Sequence, residues 1–329
     1  QALGPSIPLC YPPVGLRGSV AQDQEGGPKP DTAMLDRLAT LQLIVVTGKG
    51  GVGKTTVSAV LGKRLAARGR RVLLFEVDPR ENLHQLLDVP PSAGKLVEVE
   101  PRLYLQHLDA REALDDVVRE KLKVGALVNK VLSSPIHHHF TEGAPGLKET
   151  AVFGRAYRLL GGRTPRGVPT PDVVILDAPA SGHGLSWLTA PRLISEVIRS
   201  GPVGHMAAEI TAFTRDADRF GIVAVTIAEE MPVQECLELL DGLSTSMSRK
   251  PDGIVVNALY PPFMEDLGRG DEADDLWRHR RAVNERELAR LAATWPGPTV
   301  ELPLLPVDPG PQLVGILGRH MEWAERSSG

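Results

Sequence analysis

The sequence predicts an α/β fold built on a doubly wound, mainly parallel sheet, and three observations lead there. Short runs rich in β-branched and aliphatic residues recur at 43–47, 72–77, 173–177, 222–226, 253–257 and 300–302. Their apolar residues are consecutive rather than alternating, the pattern of strands covered on both faces. Helical patterns separate most of the runs, which calls for parallel neighbours joined by crossover helices. Finally, the first run ends in VVT (45–47) and enters a glycine-rich turn that opens into a helix-like pattern, GKGGVGKTTVSAVL.

Composition bounds the rest. A chain of 329 residues holds one large α/β domain or two small ones. With 42% apolar and 24% charged residues it has an ordinary globular balance. A net charge of −4, a pI of 6.2 and 4% aromatics speak against a nucleic-acid partner or a polybasic membrane anchor. No apolar run approaches the ~20 residues of a membrane helix, so direct membrane insertion is not expected. The longest run, 221–228, reads as a buried strand. Cys10 and Cys236 are far apart and no Cys-x-x-Cys occurs, which removes a zinc or redox pair within one chain and fits a reducing, cytoplasmic setting.

The Pro- and Gly-rich start, 1–33, shows no periodicity and reads as a mobile leader without the layout of a secretion signal. Met34 is the expected natural start. The domain expectation is a leader over 1–40 and one domain over 41–329, with helical inserts at about 107–160 and 205–220. Between Asp78 and Val173 the pattern is mostly helical. Leu114, Val117, Val118, Lys121, Leu122 and Val128 fall at three- and four-residue steps, and Asp109 with Glu112 resembles a helix-starting pair. A helix over 232–246 opens with Pro232, and mixed-charge 274–293 reads as a solvated helix.

The turn Gly48-Lys49-Gly50-Gly51-Val52-Gly53-Lys54-Thr55 fits G-x-x-x-x-G-K-[ST]. Its glycines allow positive φ and bring N–H groups close to phosphate oxygens. The helix that follows aims its positive dipole end at the same anion. Lys54 faces the β- and γ-phosphates, and Thr55, with Thr56 beside it, offers a hydroxyl to Mg²⁺. A chance match in a glycine-rich turn is the alternative; the strand before and the helix after oppose it. Lys49 is the odd residue. A cation in this turn does not easily fold back onto phosphates wrapped by its own loop, so it is expected to reach another subunit's nucleotide. The alternative is a lysine in solvent.

GKGGVGKTT resembles the deviant Walker A loop of the SIMIBI class of P-loop NTPases, which includes MinD, ParA, the nitrogenase iron protein and the arsenite pump. The resemblance implies ATP as ligand and a homodimer or paralogue heterodimer across which Lys49 reaches, in the manner of an arginine finger. Two further stretches narrow it. LLFEVDPREN places Asp78, Pro79 and Asn82 after the second strand, where a carboxylate can orient water. VVILDAPASGH ends a strand at Asp177, placed to hold Mg²⁺, and continues to Gly182 and His183. Both resemble the switches of the arsenite-pump (ArsA) and guided-entry tail-anchored-protein targeting ATPases, with the proline one place early, at Pro179. That resemblance covers about 41–318. It implies that Asp78 positions water and joins Thr55 and Asp177 at the metal, while Asn82 and His183 sense the nucleotide. It further implies that Asn257 meets adenine, that Pro306 and Val307 pack on the base, and that Glu235 is an acidic interface residue. Bland alternatives stand beside these: Asp78 as a turn former, His183 as a surface histidine, Asn257 as a strand cap, and His137–His138–His139 as an exposed loop rather than a metal site.

The expected function is therefore a Mg-dependent ATPase working as a nucleotide-switched dimer. It would couple hydrolysis to client-protein targeting or anion transport, free in the cytoplasm or peripheral to a membrane partner. A nucleotide-gated scaffold with negligible turnover, or a MinD/ParA-like positioning ATPase, is the alternative. The acidic closing segment HMEWAERSSG offers no basic amphipathic helix for the latter.

Overall fold

The structure, a computed structural model, describes residues 32–77, 81–121, 146–164, 168–179, 184–261 and 272–327. Its eight strands are β1 (Leu43–Thr47), β2 (Val72–Glu76), β3 (Val97–Glu100), β4 (Leu103–His107), β5 (Val173–Asp177), β6 (Phe220–Ile227), β7 (Gly253–Leu259) and β8 (Thr299–Pro303). They form one sheet in the order β3-β4-β2-β5-β1-β6-β7-β8. All pairings are parallel except β3 with β4. The first strand thus lies in the interior of the sheet between β5 and β6, so the turn that follows it opens at the sheet's carboxyl edge.

The helices are α1 (Thr32–Thr40), α2 (Lys54–Ala67), α3 (Leu83–Leu87), α4 (Ala110–Lys121), α5 (Leu147–Leu160), α6 (Gly184–Val197), α7 (Gly201–Arg215), α8 (Glu230–Met247), α9 (Glu272–Thr294) and α10 (Pro311–Ser327). Successive strand residues face opposite sides, and both sides are buried. Ile44 and Val46 of β1 pack with Val57, Leu61 and Leu65 of α2 and with Val314 and Leu317 of α10. Leu43 and Val45 face the other way, onto Val152 and Phe153 of α5 and Phe213 of α7. A third cluster joins Ile254 and Val256 of β7 to Val233 of α8 and Leu291 of α9. The consecutive apolar runs are explained by this double cover.

Three expectations need correction. The stretch between Asp78 and Val173 is not mainly helical at its start: β3 and β4 form an antiparallel hairpin that extends the sheet beyond β2. The β3 sequence, VEVE, is short and only half-buried, so it lacks the apolar run that marked the other strands. Helix α4 begins afterwards, with Asp109 Oδ1 accepting from the N–H groups of Arg111 (2.6 Å) and Glu112 (3.3 Å). The leader also ends earlier than residue 40. Thr32–Thr40 is a helix whose Met34, Leu35 and Leu38 are fully buried against the sheet, because its apolar residues recur on one face. The second insert is α7, which stops at Arg215; Phe220 already belongs to β6.

At the amino edge of the sheet, residues just ahead of the strands lock to one another. Arg71 Nη2 and Asp172 Oδ1 lie 2.7 Å apart, ahead of β2 and β5. Arg219 donates to Gln42 at 2.9 Å, ahead of β6 and β1. Asp252, ahead of β7, accepts from Arg37 Nε (3.2 Å) and from the N–H of Ile222 (2.9 Å), with Arg249 at 3.8 Å.

Candidate functional site

The carboxyl edge holds the turn between β1 and α2. Gly48 has φ +151°, and a Cβ there would stand 2.1 Å from the Val225 carbonyl oxygen of β6. Gly53 has φ +91°, and a Cβ there would meet Asn257 Nδ2 at 2.2 Å. Any side chain at either place collides with a neighbouring strand, so the chain requires glycine there. The residue ahead of α2 is Gly53, which has no side chain with which to cap the helix, so the helix start stands open to the turn's side. Lys54 is the first residue of α2, is 6% exposed, and its Nζ donates to the Lys49 carbonyl at 3.0 Å. The ammonium is thus drawn into the concavity of its own loop. Thr55 and Thr56 follow, both half-buried.

Asp177 ends β5 and is 2% exposed. Its Oδ1 accepts from Ser58 Oγ at 3.0 Å, which ties it to the helix that bears Thr55. Asn257, near the end of β7, donates from Nδ2 to the Val52 carbonyl at 3.0 Å and so braces the turn from outside. Pro306 and Val307 lie in the loop after β8, at the same edge of the sheet. Asn82 stands at the start of α3.

Lys49 points away from the cradle. Its Nζ pairs with Glu235 Oε1 of α8 at 2.5 Å, and each side chain is about one-third exposed, at 34% and 36%. Both line a cavity of about 360 Å³ shared with Thr47, Gly48, Leu185 and Cys236. The Cys236 thiol is pushed up to about 12 by burial, so it stays protonated. The readings on Asp78 and Pro79, on Gly182 and His183, on Cys10 and on His137–His139 fall outside the described residues.

The structure also brings in residues that the sequence reading passed over. Glu76 ends β2, is fully buried, and stands in register with Asp177 on one side and His107 on the other. Its Oε1 accepts from the N–H groups of Asn82 (2.5 Å) and Leu83 (3.1 Å). Burial pushes its carboxyl up to about 7; the charges of Asp177 and Glu81 add to that, and the two N–H donors oppose it. A charged residue closing the run VLLFE was the available signal. Ser58 was legible only as the residue one turn after Thr55 on α2.

Comparison with known proteins agrees with this geometry. The family model described as anion-transporting ATPase matches residues 41–207. The chain is 30% identical over 256 residues to ATPase BagA of Mycobacterium tuberculosis, covering 72% of each protein. It is 29% identical over 306 residues to an arsenical pump-driving ATPase of Escherichia coli, covering 84% of this chain and 49% of that protein. With an ATPase ASNA1 homolog of Cryptosporidium parvum it shares 32% identity over 170 residues, 51% of this chain and 43% of that protein. A glycine cradle with a buried lysine, opening at the carboxyl edge of a parallel sheet, and these likenesses have one reading: the chain is an ATPase and belongs to the anion-transporting ATPase family.

Proposed function

We propose that this ATPase is Mg-dependent and works as a nucleotide-switched dimer, coupling hydrolysis to the targeting of a client protein or to anion transport. The single observation that carries the proposal is the cradle itself. Gly48 and Gly53 let the turn lie against β6 and β7 where a Cβ would collide, and the Lys54 ammonium is drawn back to the Lys49 carbonyl beside the start of α2, a place that favours an anion. On nucleotide entry the Lys54 Nζ exchanges the Lys49 carbonyl for phosphate oxygens. The Thr55 hydroxyl and the Asp177 carboxylate are hard oxygen donors of the kind that suits Mg²⁺, with Asp78 assigned beside them. The ion supplies charge neutralisation on the transferred phosphoryl group when bound. Asp78 is assigned to orient the attacking water, while Asn82 and His183 sense the nucleotide and Asn257, Pro306 and Val307 hold the base.

Lys49 is assigned to the partner subunit's nucleotide. Its one-third-exposed position on a cavity wall supports that reading, and it must leave Glu235 to act there. Loss of the γ-phosphate then releases the switch segments and loosens the dimer. Cys236 is the one cysteine among the described residues and a thiol-based metalloid site calls for several soft ligands, so the targeting branch is favoured over a thiol-based pump.

Lys54→Ala is expected to lower phosphate release more than a hundredfold. Turnover equal to the unmodified chain would sink the assignment. Sedimentation with a non-hydrolysable ATP analogue and Mg²⁺ should shift the chain from monomer to dimer. A chain that stays monomeric removes the role of Lys49 in trans. Stimulation by an arsenite-like oxyanion would move the assignment from targeting to transport.

A further inference from the structure

We propose that Glu76 is a positioning residue for ATP hydrolysis, a buried clamp that ties the end of β2 to the start of α3 and holds the backbone at Asn82 and Leu83 beside the edge that carries Asp177. The inference rests on the assignment of this edge to the nucleotide. Glu76 touches neither substrate nor metal in it; it acts through Asn82.

A carboxylate with no exposure is costly, and the four residues before it, VLLF, show what packing alone selects on this strand. Something beyond packing keeps an acid here. One of its oxygens takes both leading N–H groups of α3, which Asn82 does not cap with its own side chain. Among the described residues the other oxygen, Oε2, is buried and accepts no hydrogen bond.

The same stretch is held from its other side. The Glu81 carboxylate accepts from the N–H groups of Ser92 (2.7 Å) and Ala93 (3.1 Å). Ser92 Oγ in turn accepts from the N–H of His107, the β4 residue in register with Glu76. Two glutamates thus fasten the backbone around Asn82, one to the sheet and one to the loop ahead of β3. A residue that must sense a phosphate needs its backbone held to fractions of an ångström, and this arrangement supplies that from groups set back from the cradle.

The experiment compares steady-state ATP turnover of the full chain with Glu76→Ala, Glu76→Asp and Glu76→Gln, with Lys54→Ala as the zero, each normalised to folded protein by thermal unfolding. Glu76→Ala should lower kcat about tenfold with KM for ATP within about twofold. Glu76→Gln keeps an acceptor oxygen for both N–H groups and should recover kcat to within about threefold. Glu76→Asp keeps the carboxyl group but shortens the reach, should fall between them, and serves in place of Glu76→Ala if that variant does not fold. The clamp is overturned if normalised kcat of Glu76→Ala, or of Glu76→Asp when it stands in, is within twofold of the unmodified chain, or if Glu76→Gln is no better than Glu76→Ala. An unmodified chain with no turnover above Lys54→Ala would instead sink the proposed function, so the two failures are distinguishable.

Discussion

The two edges of the sheet use their polar groups differently. At the amino edge, Asp172, Asp252, Arg219 and Gln42 sit one residue ahead of a strand and close onto one another or onto Arg71, Arg37 and Arg249. At the carboxyl edge, Glu76 and Asp177 are buried side by side, and the Lys54 ammonium rests on a carbonyl of its own loop. Paired charges at the first edge hold the strands in register. At the second, burial and the neighbouring Asp177 charge push the Glu76 carboxyl up to about 7. The difference teaches that satisfied and strained polar groups separate stability from function within one sheet.

Four experiments break or sharpen this contrast. The largest effect is expected for Gly48→Ala, whose added methyl collides with the Val225 carbonyl. Nucleotide binding should fall below detection in a fluorescent-ATP titration while the far-UV spectrum keeps its helical form. Next comes Asp252→Asn, which leaves Arg249 without its facing carboxylate at a largely buried site. Urea unfolding should show a loss of about 3 kcal/mol, with kcat unchanged per folded molecule. If kcat falls with it, the two edges are not separable.

The third concerns pH. The Glu76 carboxyl lies higher in the folded chain than in the unfolded one, at about 7, so folding takes up a proton between the ordinary glutamate range and that value. Stability in chelator-treated, nucleotide-free protein should therefore fall as pH rises across that window, and Glu76→Gln should flatten the slope. The smallest effect belongs to Asp172, which the Arg71 guanidinium holds below the usual carboxylate range. Its contribution is present above the unfolded value and disappears as pH drops through the folded one. Because the pair is open to solvent, Arg71→Ala should give the smallest loss of the four in urea unfolding at neutral pH.

Legibility followed the same division. The cradle was readable because eight consecutive residues, Gly48 to Thr55, carry its whole geometry. The apolar strands were readable because burial on both faces leaves runs without polar interruption. The β3–β4 hairpin was missed because an edge strand that is half-buried alternates charged and apolar residues and is too short to weigh against neighbouring helical patterns. Helix α1 was missed because a single turn-and-a-half of apolar face, Met34 to Leu38, follows a long Pro- and Gly-rich stretch. Glu76 was missed because no local rule says that a glutamate after four apolar residues turns inward.

From its sequence alone the chain determined a parallel α/β sheet and a phosphate-binding turn, since both are written in contiguous residues with their own backbone requirements. Only the tertiary structure decided that Glu76 lies beside Asp177, that Asn257 braces the turn across some two hundred residues of chain, and that Lys49 rests on Glu235. Those contacts depend on strand order, and strand order is set by how distant apolar faces cover one another rather than by any stretch read by itself.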